Sequence, residues 1–352
     1  MEEISKQNKT PSQLGYYMPA EWKKHDAIWL SWPHDPVTFP DRVEKVEEVY
    51  VRIIKAIHKS EKVNLFIKDT GMKKKVLSLL NGNDIDLNQI SLYEFDYADV
   101  WFRDYGPIFL LNRNEKKLAI THWIFNAWGG KYVDLMRDTE IPSVINSKLQ
   151  IQCFSPGIVL EGGSIDVNGK GTMLTTEACL LNKNRNSHLS RQEIENYLMG
   201  NLGITNIIWL KDGIKGDDTD GHIDDIARFV NPTTVLCCYE ENINDENYDI
   251  LKENYDILSN SKDQDGKKLK ILKLPMPDFI GDKEGRLPAS YANFYIGNNV
   301  VIVPVFGGKN DSKALDIIQS FFPGRKVVGI DCNDLVHGLG TLHCISQQQP
   351  SL

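Results

Sequence analysis

Cys344 follows the run Gly338-Leu339-Gly340-Thr341-Leu342-His343. A cysteine behind a glycine-rich turn can be approached closely by a small ligand. A free cysteine is most often a buried filler. Here Gly338, Gly340 and the polar Gln347-Gln348-Gln349 that follows argue against deep burial. As a thiolate such a group is a nucleophile. Three acidic clusters elsewhere supply what that nucleophile would need. Asp99-Val100-Trp101-Phe102-Arg103-Asp104 sets carboxylates beside an aromatic wall, a receptor for a flat cation, although an Asp-Arg pair in a polar loop reads equally well. Glu161-Gly162-Gly163 places a carboxylate at the end of an apolar run, where burial demands a partner. The densest cluster is Gly216-Asp217-Asp218-Thr219-Asp220-Gly221-His222-Ile223-Asp224-Asp225. If His222-Ile223-Asp224 is extended, His222 and Asp224 point to one face and share a pocket.

A thiol, an imidazole, several carboxylates and an aromatic wall suit attack on an amidine-like carbon. A guanidinium is flat, always charged and presents forked donors, so carboxylates clamp it two hydrogens at a time. The imidazole then acts as acid toward departing ammonia and later as base toward water. That chemistry needs no metal and no organic cofactor. A second reading takes Asp217 to Asp225 as the ligand set of a metal-dependent hydrolase. Against it, the chain has no HExxH and no second histidine at ligand spacing. A third reading is a guanidinium-binding protein without turnover, and retention of both Cys344 and His222 counts against that.

The elements must bring these distant stretches together. The chain has 352 residues, 41% hydrophobic and 25% charged, which is enough for a sizeable core. A net charge of −8 argues against nucleic-acid binding and is compatible with a cationic substrate. No apolar run is long enough for a membrane span, and the N-terminus lacks a secretory pattern. The six cysteines show no CxxC and read as reduced thiols in a cytoplasmic protein. Residues 1–15 are polar and read as a frayed tail, leaving 16–352 as one catalytic domain. Ala27 to Trp32, stopped by Pro33, and Val63 to Ile67, Ile207 to Leu210 and Lys326 to Ile330 read as strands. Val43, Val46, Val49, Ile53, Ile54 and Ile57 mark one face of a helix. Hairpins are expected around Asn231-Pro232 and, joining Tyr291–Ile296 to Val300–Val305, around Gly297-Asn298-Asn299. The pattern is strand-rich units with one helix each, an α/β chain that is neither all-parallel nor all-helical. A repeat of roughly 60–70 residues suits that element count, but no self-similarity is visible in the residues.

Seven segments in order carry a resemblance. They are Met18-Pro19-Ala20-Glu21-Trp22, Trp101 to Pro107, Glu161-Gly162-Gly163, Leu174 to Asn182, Asp220-Gly221-His222-Ile223-Asp224, Ala289 to Tyr295 and His343 to Pro350. With them the chain resembles the agmatine deiminase and bacterial-type peptidylarginine deiminase family of the guanidine-modifying superfamily. The resemblance implies a five-bladed α/β propeller around a central pocket, in which Cys344 is the nucleophile of a covalent amidino-cysteine pathway. It implies His222 as proton shuttle, Asp104 and Asp224 as the guanidinium clamp, Glu161 on His222 or the guanidinium, and Trp101 as the wall. The implied reaction converts agmatine and water to N-carbamoylputrescine and ammonia in polyamine metabolism. Free arginine and peptidyl-arginine are the alternative substrates, and a homo-oligomer is carried over with the family. The chain departs from the family pattern where Leu339 interrupts the glycines and Thr341 replaces Asn.

Overall fold

Hydrophobic runs become buried strands, and amphipathic stretches become the helices packed on them. This is seen in a computed structural model that describes residues 9–283 and 285–352. Among the described residues, five sheets of three or four strands repeat one pairing. An antiparallel pair comes first, and a helix then carries the chain across to a strand parallel to the second. Ala227–Asn231 pairs antiparallel with Thr234–Tyr239, helix Tyr248–Asn260 crosses, and Lys270–Pro275 lies parallel to Thr234–Tyr239. Tyr295–Ile296, Val300–Val305, helix Asp311–Phe321 and Lys326–Asp331 repeat the order. So do Asp166–Val167, Thr172–Thr176, helix Arg191–Leu202 and Asn206–Leu210. Ile108–Asn112, Leu118–Thr121, helix Ile141–Leu149 and Gln152–Phe154 form the fourth, with Tyr16–Tyr17 added at the outer edge. The fifth closes the chain on itself, because Gln347–Pro350 pairs antiparallel with His25–Ser31. Lys62–Ile67 and Ile90–Glu94 continue that sheet in parallel.

The helical face read from the sequence is the buried face of Val43–Ile57, where Val46, Val49, Tyr50, Ile53, Ile54 and Ile57 all face inward. Thr234–Tyr239 is buried along almost its whole length, and Cys237 and Cys238 are both inaccessible fillers there. Both expected hairpins form. The second is shorter on its first side, where only Tyr295–Ile296 is strand. The preceding Asn293 leaves the ladder because its backbone carbonyl accepts the His343 N–H at 3.1 Å. Part of the stretch expected as a frayed tail over residues 1–15 is held by hydrogen bonds. Ser12–Leu14 forms a 3-10 turn, and Gly15 and Leu14 accept hydrogen bonds from Arg113 and Asn112. Residues 1–8 lie outside the described residues. No helix among the described residues is long and apolar enough to cross a membrane.

Buried arginines tie the sheets together. Arg228, fully inaccessible in strand Ala227–Asn231, donates to Glu21 at 2.5 Å and to the carbonyls of Ala292 and Phe294 at 3.2 and 2.8 Å. Arg103 donates to the side chains of Gln347 and Gln348 at 2.6 and 2.8 Å, which holds the last strand in place. Removing one partner of a buried pair leaves the other charge uncompensated. Arg228→Ala is therefore expected to cost about 3–5 kcal/mol of stability. Urea unfolding checks this, and a midpoint equal to wild type contradicts it.

Candidate active site

Cys344 sits in a turn beneath a cavity of about 470 Å³ that Trp101, Trp128, Leu339 and Asp104 also line. The thiol is buried, with the residue 7% exposed. This corrects the expectation that the flanking glycines keep it shallow. Gly338 and Gly340 serve packing instead: a Cβ on Gly340 would meet the Trp101 ring at 2.5 Å and Cys344 Cβ at 3.1 Å. The turn is held by Asn293, whose Oδ1 accepts from the His343 N–H at 2.9 Å and from Thr341 Oγ1 at 2.8 Å. Asn293 Nδ2 reaches Cys344 Sγ at 3.1 Å.

His222-Ile223-Asp224 is not extended. Ile223–Asp225 is a 3-10 turn closed by Ile226 N–H on the Ile223 carbonyl at 2.9 Å. His222 and Asp224 still meet, because the turn folds both toward Gly163. A Cβ on Gly163 would stand 2.5 Å from His222 Nδ1, 2.8 Å from Asp104 Oδ1 and 3.2 Å from Asp224 Oδ2. Asp224 Oδ2 lies 3.8 Å from Cys344 Sγ. Glycine is thus required where three polar side chains crowd one point. Asp104 reaches that point from the four-residue helix Phe102–Tyr105, and accepts from Trp128 Nε1 and the Gly163 N–H, both at 3.0 Å. Trp101, one residue before that helix, is pinned by its Nε1 to Asp99 at 2.9 Å.

Glu161 is fully buried, and one of its oxygens is taken by Arg185 Nε at 2.6 Å. Its acceptor and donor-capable atoms on Cys179 and His222 lie within 4.8 Å of one another, so Glu161 stands on the His222 side. Arg185 also donates to Asp220 at 2.7 Å and to the Thr219 carbonyl at 3.0 Å. The acidic run that the rival metal-dependent reading takes as one ligand set is divided among separate partners. Asp217 accepts from Thr219, Gly221 and His222 N–H groups within its own loop. Asp218 takes the Tyr132 hydroxyl, and Asp220 takes Lys131 and Arg185. Only Asp224 and Asp225 of that run gather with Cys344.

Three participants were given no role from the residues alone. Asn293, Arg185 and His343 carry the inner framework. His343 Nδ1 lies 2.7 Å from Asp224 Oδ2, and its Nε2 lies 2.9 Å from Glu21 Oε2. One signal was available for Arg228: a single charge inside the apolar run Ile226-Ala227-Arg228-Phe229-Val230.

Electrostatics follow from crowding acids out of water. Burial pushes Asp104 up to about 6, against the pull of His222. Burial, then Asp224 and Asp217, raise Asp225 well above the carboxylate range. Burial opposes a charge on His222, but Asp104, Cys179 and Asp224 outweigh it and raise its pKa well above the imidazole range. Burial, Asp224, Asp225 and Asp104 all push the Cys344 thiol well above its ordinary 9.0. The resting pair is thus a neutral thiol and a charged imidazole. Asp224 Oδ1, His222 Nε2 and Glu161 Oε2 are buried without a hydrogen-bond partner.

In the free protein, alkylation of Cys344 by iodoacetamide is expected to keep rising past pH 9.0 without a plateau. A plateau near neutrality contradicts that charge state. Gly163→Ala forces a methyl into His222 and Asp104, so turnover is expected to fall at least about a hundredfold, because small misplacements at a reacting centre cost that much. Steady-state rates with a thermal melt as folding control check it, and a near-wild-type rate contradicts the crowding.

The whole chain is similar to known proteins. The model of the Porphyromonas-type peptidyl-arginine deiminase family matches residues 17–350. A Legionella pneumophila relative is 42% identical over 97% of this chain and 98% of its own. The agmatine deiminase of Medicago truncatula is 36% identical over 97% and 98%. The solved agmatine deiminase of Enterococcus faecalis superposes with TM-score 0.90 at 34% identity, covering 98% of each chain. A C. jejuni agmatine deiminase with substrate bound superposes at 0.85 and 33%, over 95% and 96%. The α/β fold is that of the solved agmatine deiminases, and the chain belongs to the Porphyromonas-type peptidyl-arginine deiminase family.

Proposed function

We propose that the protein hydrolyses the guanidinium of agmatine, giving N-carbamoylputrescine and ammonia. The observation that carries the reading is the crowding at Gly163, where His222, Asp104 and Asp224 meet within reach of Cys344. Asp104 and Asp224 clamp the cation, Trp101 walls it, and Glu161 steadies His222. The arriving positive charge offsets the carboxylates that hold the thiol protonated, and the thiol proton leaves to solvent. Cys344 Sγ then bonds to the guanidinium carbon. That tetrahedral centre expels one nitrogen, which takes its proton from the already charged His222 and departs as ammonia. The amidino-cysteine that remains is attacked by water, whose proton goes to the now neutral His222. The C–S bond breaks and the hydroxyl proton passes to the departing sulfur, releasing the ureido product and restoring the thiol. Side chains, substrate and water balance every step without a cofactor.

The cavity favours a substrate with an amine at its far end. Asp35, Asp134 and Asp218 line it, and no arginine does so among the described residues. Its lysine, Lys131, is engaged by Asp220 at 2.8 Å and by the Asp218 carbonyl. An α-carboxylate would meet acids there, so free arginine is disfavoured, and peptidyl-arginine, whose α-amine is acylated, offers those acids no cation. The five repeated sheets are read as blades of a propeller around this pocket, and residues 16–352 as one catalytic domain. A cytoplasmic homo-oligomer completes the reading.

Ammonia release from agmatine, arginine and an arginyl peptide tests it. Agmatine is expected to be turned over fastest, and Cys344→Ala to abolish release. Full activity in Cys344→Ala removes the mechanism, and preference for arginine removes the substrate.

A further inference from the structure

Leu339 holds a backbone conformation that glycine favours, at φ 70° and ψ 25°. Its neighbours Gly338 and Gly340 do not take positive φ. The usual logic of such a turn is therefore inverted. The two glycines are there because Phe39, Trp101 and Cys344 press against them. The position that would welcome glycine carries a branched side chain instead. In the left-handed region a Cβ crowds the following carbonyl, so a leucine there works against stability. Strain of this kind persists where the side chain does something else. Leu339 is half-buried, and it lines the same cavity as Trp101, Val133, Leu135 and Cys344. With glycine on both sides, it is the side chain this turn offers to that cavity between Gly338 and Cys344.

We infer that Leu339 is a specificity-determining residue that packs on the polymethylene chain of the substrate and narrows the cavity against groups branching from that chain. The inference rests on the proposed deiminase reading. Agmatine is an unbranched four-carbon chain between two cations, so its middle needs an apolar contact while its ends need acids. Trp101 and the carboxylates serve the guanidinium, and Asp35, Asp134 and Asp218 stand for the amine. Leu339, with Val133 and Leu135, supplies the apolar stretch. Arginine carries a carboxylate on the last carbon of the same chain, and a peptide adds more bulk there, so a narrower passage rejects both.

Leu339→Gly removes the side chain and the strain together, whereas Leu339→Ala removes most of the bulk and keeps a Cβ at positive φ. Both are expected to raise KM for agmatine roughly tenfold with little change in kcat, the scale of a lost apolar contact. Both are expected to lower the ratio of kcat/KM for agmatine over arginine by a similar factor. Methylguanidine, which lacks the chain, is expected to inhibit all three proteins alike. A thermal midpoint of Leu339→Gly at or above wild type shows that the losses are not misfolding. Unchanged KM and an unchanged substrate ratio in both variants overturn the inference. Equal weakening of methylguanidine overturns it as well, because Leu339 would then act on the guanidinium end. If wild-type protein releases no ammonia from agmatine, the deiminase reading itself fails, and that outcome is separate from the behaviour of the variants.

Discussion

Four carboxylates, Asp104, Glu161, Asp224 and Asp225, are held near one point, and all are at most 4% exposed. Like charges in a medium of low dielectric repel strongly, and each also loses its hydration. The fold offsets part of this with buried arginines and aimed N–H groups. Arg185 takes one oxygen of Glu161, while Trp128 and the Gly163 backbone take both oxygens of Asp104. The compensation is incomplete. One oxygen each on Asp224 and Glu161 is left without a partner. The empty site relieves the remainder by binding protons, which is why Asp104 is pushed up to about 6 and the Cys344 thiol is raised further. A planar cation relieves it better, because it brings both charge and donors.

Holding that arrangement is also what assembles the sheets. Glu21 precedes the first long strand, Arg228 belongs to strand Ala227–Asn231, and His343 precedes Cys344, yet all three meet. His343 then reaches Asp224. Asn293 binds the turn of Cys344 from a stretch that would otherwise have continued as strand. The pairing of Gln347–Pro350 with His25–Ser31 fixes the segment that bears the thiol. A change that loosens these contacts acts on stability and on the site together, and such neighbours are not expected to be additive.

Local signals in the sequence were sound for local structure: period and turn residues marked the helix Val43–Ile57 and both hairpins. Unusual residue types drew attention to Asp104, Glu161, His222, Asp224 and Cys344, of which the structure brings Asp104, His222 and Asp224 together at Gly163. The misreadings arose where a distant partner decides. Alternation along a strand was the reason for placing His222 beside Asp224, whereas a 3-10 turn does so. Glycines next to Cys344 were taken as openness, but they are close-packing sites for Trp101. The roles of Asn293, although it lies in the segment Ala289 to Tyr295, and of Arg185 were not legible because their partners lie 51 and 24 residues away, in elements whose docking no local pattern encodes. The fivefold repeat of sheet pairing was invisible for a related reason. Each unit conserves its hydrogen-bond topology while filling its strands with different apolar residues.

The proton inventory explains why one imidazole suffices for both halves of the proposed reaction. His222 is charged before substrate arrives, since Asp104, Cys179 and Asp224 together overcome its burial. It therefore has no need to take the thiol proton, and the acid for the departing amine is already in place. Once ammonia leaves, the imidazole is neutral and faces the incoming water as a base. The neutral thiol of the empty site has the complementary consequence. Nucleophilicity appears only when a cation displaces the proton, so the thiolate forms where a guanidinium is already clamped. Water alone, or a neutral amide, brings no such charge. The same crowding of carboxylates that the arginines must restrain thus selects the substrate's charge and times the appearance of its attacker.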